Sequence, residues 1–374
     1  MSTQRKQIVL APAQQEDDAD IRALLREAPM AGDIRLSLQR EPHNWLAAAV
    51  EGEPHYTFVA RDSSNGSFIG FGSRGVKQVW INGRQERIGY LSQLRSSASY
   101  TVRRRPMAEA FEVTRKTRRP DELPFDFTTI MSDNLRARRF LERGIKGFPS
   151  YRPLGELTTL TLTVRRGKRV APPGVDIRKG TKELLPHIVA CLQRNMQRYQ
   201  LGPVWTEASL IHDEKTPGLR IEDFFLAYVK GKPVGCLALW DQRTFKQTVI
   251  SGYSKRLGLL RPLLNMGMVL TAGPRLPAPG QSLPFAYLSH VGIDEDNPLV
   301  LRALIAAACS HPLASRLDFL VLGLAEGNPM LPDLERRLRP RILRSVLYLV
   351  EYGAAEEALN LMDGRVFHAE VATL

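Results

Sequence analysis

Cysteine is scarce in this chain. The three present, Cys191, Cys236 and Cys309, are odd in number, and their spacing matches no metal-binding pattern. They read as reduced structural thiols, which excludes a disulfide framework, and no metal is expected. Long apolar runs are also missing. None reaches about 18 residues, so no membrane-spanning helix is expected. The opening MSTQRKQIVLAPAQQ lacks the apolar core of a secretion signal, and a cytoplasmic protein is expected. Aromatic residues make up only 7% of the chain, and the basic run at 103–119 contains one, Phe111. That is too few for a base-stacking strip and argues against nucleic acid as a partner. There is no phosphate-binding glycine loop, no Gly-x-Ser-x-Gly and no dinucleotide fingerprint. The glycines of GFGSRG (70–75) belong to a hairpin instead.

What remains is an ordinary globular composition, 43% hydrophobic and 24% charged, in 374 residues, a length that suits about two domains. The net charge is +13, which attracts anions of any class. Arg95, Arg103, Arg104, Arg105, Arg115, Lys116, Arg118 and Arg119 are opposed in that stretch only by Glu109 and Glu112. Such a run is either a solvated helix face or an anion cradle.

One segment occurs twice. GYLSQLRS (89–96) and AYLSHVGI (286–293) share a small residue, then Tyr-Leu-Ser. Upstream of each stands a hairpin pattern, FVARDSSNGSFIGFGS (58–73) with an Asn65-Gly66 turn and FLAYVKGKPVGCLALW (225–240) with a Lys230-Gly231 turn. Downstream come DFTTIMSDN (126–134) and DFLVLGLAEGN (318–328), each followed by a helical stretch. Closing strands are expected at 155–164 in the first copy, and at 344–352 and 366–374 in the second. The pattern is α/β with a mixed sheet flanked by helices, in two tandem domains. Their expected bounds are 1–164 and 175–374, joined by a linker at 165–174. An insertion at about 241–284 holds a helical stretch, KRLGLLRPLLNMGMVL, and then a Pro/Gly-rich loop.

The order around 88–111 and 126–151 resembles the GNAT superfamily of N-acetyltransferases. The resemblance implies a central strand at 88–96 that parts from a parallel strand at 127–131, with the thioester of acetyl-CoA or another acyl-CoA lying in the gap. It implies a pyrophosphate turn at 101–108, with Arg103, Arg104, Arg105, Met107 and Ala108 in contact with the cofactor and Asn134 opening the following helix. It also implies backbone N–H donors near Leu94 and Arg95 for the oxyanion. A helix N-terminus presents unpaired N–H groups and a partial positive charge, and arginines add charge-assisted bonds. Here Pro106 stands where the family places a glycine, and Leu141 where it commonly places an acidic tyrosine. Tyr151 is the nearest alternative phenol. In the second copy the same turn reads Asp294-Glu295-Asp296-Asn297-Pro298, which suits a capped helix better than a phosphate site. The first domain is therefore the expected donor-binding one.

Acyl transfer to an amine needs a proton acceptor, an oxyanion site and a route for the thiolate to leave. Tyr90 and Ser92 share one face of the central strand, and His290 is the titratable difference between the copies. These three are the candidate catalytic residues, with Glu41, His43 and His55 as further candidate bases. Three functions are open at this level: an acyltransferase drawing on acyl-CoA, one drawing on an acidic acyl-carrier protein, and a catalytically degenerate binding module. The amine acceptor is not legible.

Overall fold

Period-two apolar patterning forms strands and period-3.6 patterning forms helices, in the same order in each half. The computed structural model describes residues 8–30, 32–97, 100, 104–164, 172–211, 214–270, 273–352 and 362–374. The first half contains β1 (Ile8–Pro12), α1 (Asp18–Glu27), β2 (Ile34–Gln39), α2 (Asn44–Glu51), β3 (His55–Asp62), β4 (Phe68–Ile81) and β5 (Arg84–Ser96). It continues with α3 (Arg104–Arg115), β6 (Phe125–Met131), α4 (Leu135–Leu141) and β7 (Ser150–Thr163). The second half contains β8 (Asp176–Lys179), α5 (Leu185–Met196), β9 (Gly202–Pro203), α6 (Glu207–Leu210), β10 (Phe224–Val229), β11 (Lys232–Trp240) and β12 (Gln247–Tyr253). It ends with α7 (Lys255–Leu270), β13 (Phe285–Ile293), α8 (Pro298–Cys309), β14 (Phe319–Ala325), α9 (Leu331–Leu338) and β15 (Arg341–Glu351). Residues 165–171 of the expected linker lie outside the described residues, as do residues 101–103 of the expected phosphate turn, Arg103 among them.

One mixed sheet runs through the whole molecule in the order β1-β3-β4-β5-β6-β15-β7-β14-β13-β11-β10-β8, with β9 added beside β4. The hairpins form where the turn residues call for them. Asn82 and Lys230 take positive φ values of 53° and 50°, as a two-residue hairpin turn requires. Among the described strands, the parallel pairs are β5/β6 and β13/β14, one in each half. The insertion is tied back to the first half, because β12 pairs antiparallel with β2.

The closing strands do not stay in their own halves. β15 pairs with β6 (Leu349 opposite Phe127) and with β7, so the second half supplies a strand inside the first half's sheet. β7 in turn pairs with β14 (Leu160 opposite Leu322) and completes the second half. The expected strands at 155–164 and 344–352 thus form, but with exchanged partners. The expected strand at 366–374 does not form. Only Phe367 bridges, to Gln200, and residues 371–373 make a single 3-10 turn capped by the Glu370 side chain. The segment lies in the gap where β13 and β14 part, and there the carboxylate at 370 takes the Ala372 N–H and the His290 N–H in place of a strand ladder.

Buried side chains cover both sheet faces. Leu160, Leu162, Leu288 and Leu322 of the sheet pack with Leu304 of α8 and Leu334 of α9. Phe224 and Trp240 pack with Ile188 and Leu192 of α5 on the opposite face. The three cysteines are free thiols, and Cys191 and Cys236 are buried. Leu349 is fully buried on the exchanged strand. Leu349→Ala should therefore cost about 2–5 kcal/mol. Urea unfolding followed by circular dichroism should show both halves lost in one shifted transition. Two separate transitions would contradict the exchange.

Candidate active site

Two wedges open in the sheet, one in each half, at the same place in the repeat. β5 and β6 pair only at Gly89–Asp126 and Tyr90–Phe127 before they part. β13 and β14 pair from Phe285–Phe319 to Leu288–Leu322 and then part. At each opening one residue stands in the left-handed region, Gln93 with φ 57° and His290 with φ 52°. These are the aligned residues of the two Tyr-Leu-Ser segments. The register of β4 against β5 slips at the first, and that of β11 against β13 at the second. Such a bulge bends the strand away from its neighbour.

The closed end of the first wedge is clamped by charge. Arg74, Glu122 and Asp126 are buried, and Arg74 Nη2 donates to Glu122 Oε2 (2.6 Å) and Asp126 Oδ1 (2.9 Å). A buried guanidinium needs such partners, since an unpaired one costs several kcal/mol. Towards the mouth, the wedge walls are half-buried: Leu91 to Gln93 on β5 and Thr129 to Met131 on β6. Leu94 is exposed, and Arg95 beside it is half-buried. The first described turn of α3 stands by this mouth. Arg104 donates to Lys146 O (2.9 Å), and Arg105 extends into solvent with Glu109 at 3.0 Å. Met107 and Ala108 are half-buried. Asn134 caps α4, its Oδ1 accepting from Ala137 N (3.2 Å).

Beneath Tyr90 and Ser92 lies a polar cluster centred on Glu51, the last residue of α2. A Cβ at Gly75 on β4 would stand 2.4 Å from the Glu51 carbonyl oxygen, so only glycine lets the helix end touch the strand here. The buried Glu51 carboxylate pairs with Arg40, accepts from Ser92 Oγ (2.8 Å) and from Gln93 Nε2 (3.3 Å), and has His55 Nε2 at 3.4 Å. Burial alone would raise its pKa, but Arg40, then His55 and Lys246, outweigh that and hold the carboxyl well below the usual range. Tyr90 is buried against Phe127, with ring centroids 5.0 Å apart. Burial and the nearby Glu51 charge push its phenol up, so it stays protonated at neutral pH. Two lysines complete the cluster. Lys77 Nζ donates to Thr373 O (2.7 Å) and stands 5.2 Å from the centre of the Tyr90 ring. Lys246 Nζ donates to Leu374 O (2.8 Å). Burial lowers Lys77 to about 7, with Glu51 opposing and Lys246 adding to the shift. Burial lowers Lys246 to about 8.

The second wedge is filled by the chain itself. A Cβ at Gly323 would meet Val371 Cγ2 at 2.2 Å, and the C-terminal segment occupies that gap. Glu370 Oε2 accepts from His290 N (2.9 Å), and His368 lies against Tyr199. The space left is about 20 Å³, room for one water. The start of α8 is also taken. Asn297 accepts from Leu299 N, Asp294 binds Arg194 and Asn195, and Asp296 binds Arg198. His290 is fully buried among Trp205, Phe224 and Trp240, and burial lowers it to about 3. Ser289 Oγ lies 2.9 Å from its Nδ1.

Of the residues expected from sequence, Tyr90 and Ser92 therefore converge on one cluster, while His290 sits apart across Glu370. His55 joins the cluster. Glu41 instead pairs with Arg22 and Arg26, and His43 is largely exposed. Tyr151 packs against Phe111 and Tyr348. The phenol that reaches α4 is Tyr348, on the exchanged strand, bonded to Arg138 and Glu142. Glu51, Arg40, Lys77 and Lys246 were not anticipated. Two of them left a local signal: Lys77 interrupts the apolar run of β4, and Glu51 is the one charged residue of NWLAAAVE.

Among the described residues no His/Cys/Asp/Glu cluster could hold a metal, and no helix is long and apolar enough to cross a membrane. The folded state disfavours the charged form of Lys77, so between about pH 7 and 10.5 the unfolded chain binds more protons at this site. That term makes stability rise with pH across the window. Lys77→Met should flatten the rise, which urea titrations of both proteins at pH 7 and pH 9.5 would measure. Equal pH dependence in the two would remove the assignment.

No protein-family model matches the sequence, and no curated protein sequence matches it. Solved structures do match. Saccharomyces cerevisiae N-myristoyltransferase with bound myristoyl-CoA is similar over 95% of this chain and 85% of its own, at 14% identity and a TM-score of 0.59. A GCN5-related glucosamine N-acetyltransferase region of a fungal multi-domain GH3 β-N-acetylglucosaminidase is similar over 93% of this chain and 38% of its own, at 15% identity and a TM-score of 0.59. The chain is thus built on the GNAT-superfamily fold, laid out twice along one sheet.

Proposed function

We propose that the protein is an N-acyltransferase that moves an acyl group from acyl-CoA to an amine, with the donor held by residues 1–164. One contrast carries this reading: the first wedge has half-buried walls above a polar cluster, whereas the second is filled by residues 366–374. The structurally similar N-myristoyltransferase carries a myristoyl-CoA, which supports an acyl-CoA donor. The pyrophosphate would lie at the start of α3, drawn by the partial positive charge of the helix end and by Arg104 and Arg105, with Arg103 as a further expected contact, while Met107 and Ala108 line the turn. The thioester would enter between β5 and β6, its carbonyl near the backbone N–H groups of Leu94 and Arg95.

The acceptor amine would meet the thioester beside Tyr90 and Ser92. Glu51 positions Ser92 by accepting its hydroxyl proton, leaving the oxygen lone pairs to face the amine. The ammonium must lose a proton before it attacks. Lys77, brought near neutrality by burial, takes that proton through water. The amine nitrogen then bonds to the carbonyl carbon, the oxyanion rests on the backbone donors, and the C–S bond breaks while the second proton on nitrogen passes through water to the departing sulfur, giving the amide and CoA thiol. His290, neutral and boxed in by aromatics, has the part of a wedge-bulge residue in this reading.

CoA, acetyl-CoA and myristoyl-CoA test the donor site. A ligand at about 100 times its Kd should stabilise the chain by roughly 2.7 kcal/mol, read as a thermal shift. Arg104→Ala with Arg105→Ala should abolish the shift. Lys77→Met should bind the donor normally, lower kcat about 10²–10⁴-fold and remove the acid limb near pH 7. No shift with any of the three ligands would sink the acyltransferase reading in favour of a binding module.

A further inference from the structure

Helix α7 is turned inside out. The side chains that fasten it to the protein are polar. Asn265 donates to Leu276 O (3.0 Å) and accepts from Leu276 N (2.7 Å), and Arg261 donates to Pro277 O (2.9 Å). The opposite side is apolar and open to solvent. Leu259 is 84% exposed, and Leu263 and Met266 are each 61% exposed. At 3.6 residues per turn these three form one stripe, with Leu260 and Leu264 beside it. A surface helix ordinarily buries such a stripe and shows its polar side to water. Burying leucines removes apolar area from water, so this stripe favours a covering surface.

The charge around the stripe points to what covers it. Between Asp241 and Asp294 the sequence has no Asp or Glu, yet it has Arg243, Lys246, Lys255, Arg256, Arg261 and Arg275. Lys255 and Arg256 are exposed on the leucine side of the helix, and Arg275 is exposed on the loop that follows. A second copy of this chain would bring these cations against each other. Anionic headgroups above acyl chains match both the charge and the apolar stripe. Among the described residues no helix is long and apolar enough to span, so α7 would lie in the interface rather than cross it.

We propose that α7 docks the protein on an anionic lipid surface, with Leu259, Leu263 and Met266 in the acyl region and Lys255 and Arg256 among the headgroups. The proposal stands independently of the acyltransferase reading. Strand β12 joins Lys246 of the candidate cluster to α7, so the two are linked through one strand.

Vesicle flotation of the full chain tests it, with phosphatidylcholine vesicles against vesicles containing 30% phosphatidylglycerol. The partition coefficient should be at least about tenfold higher on the anionic vesicles. Leu259→Glu with Leu263→Glu should abolish binding, and Lys255→Glu with Arg256→Glu should bring anionic vesicles down to the neutral level. Both pairs are exposed, and unchanged melting temperatures would verify that the variants are folded. Equal or absent binding to the two vesicle types overturns the proposal. So does a wild-type dimer, seen by light scattering, that the leucine pair of substitutions makes monomeric without any vesicle binding in the parent.

Discussion

The insertion of β15 between β6 and β7 is the constraint on which the rest of the molecule depends. Backbone N–H and C=O groups on both sides of this strand are satisfied by the other half of the chain. The wall of the first wedge is therefore backed by residues more than half the chain away in sequence. Tyr348, from the same strand, reaches α4 and bonds Arg138 and Glu142, which fixes the helix beside the wedge. Hydrophobic burial is what the exchange provides in quantity. Leu347 and Leu349 face Phe125 and Phe127 in one core cluster, while Val346, Tyr348 and Val350 face Phe111 and Tyr151 on the other side. The charged clamp at Arg74 adds definition rather than bulk stability, since ion pairs taken out of water recover little beyond their desolvation.

The two copies kept the same backbone and filled it differently. Each retains a left-handed residue at the point where its parallel strands part. In the first copy the surroundings are polar, and the side chain of Gln93 reaches Glu51. In the second they are aromatic, and His290 is packed as a neutral ring. The C-terminal segment accounts for much of this asymmetry. It fills the second wedge with Val371 and bonds the second copy's strand through Glu370, and its Thr373 accepts from Lys77 in the first. One short stretch thus fills one wedge and holds Lys77 beside the other.

Local signals made the repeat, the hairpins and the start of α8 legible in the sequence. The Asn-Gly and Lys-Gly turns, the Tyr-Leu-Ser strands and the Asn297-Pro298 cap are short-range features set by backbone conformation. Partner choice is not short-range. β7 and β15 are both rich in leucine and β-favouring residues, and nothing in their patterning distinguishes a neighbour in one half from a neighbour in the other. The segment at 366–374 alternates like a strand, but the Glu370 side chain bonds the backbone on both sides and the chain turns at 371–373. Tyr90 and Ser92 were visible because they alternate on a recognisable strand. Glu51 was not, because its importance arises from the contact of a helix end with Gly75 on β4, a meeting that sequence spacing does not encode.

The traded strands also bear on the ancestry and future of the duplication. Once each copy had come to rely on the other for a wall, neither could be deleted or return to an independent life. The half whose gap is filled still serves as the scaffold of its twin. Drift in that half is then limited by the structural needs of the other, and inheritance can keep it for its walls alone.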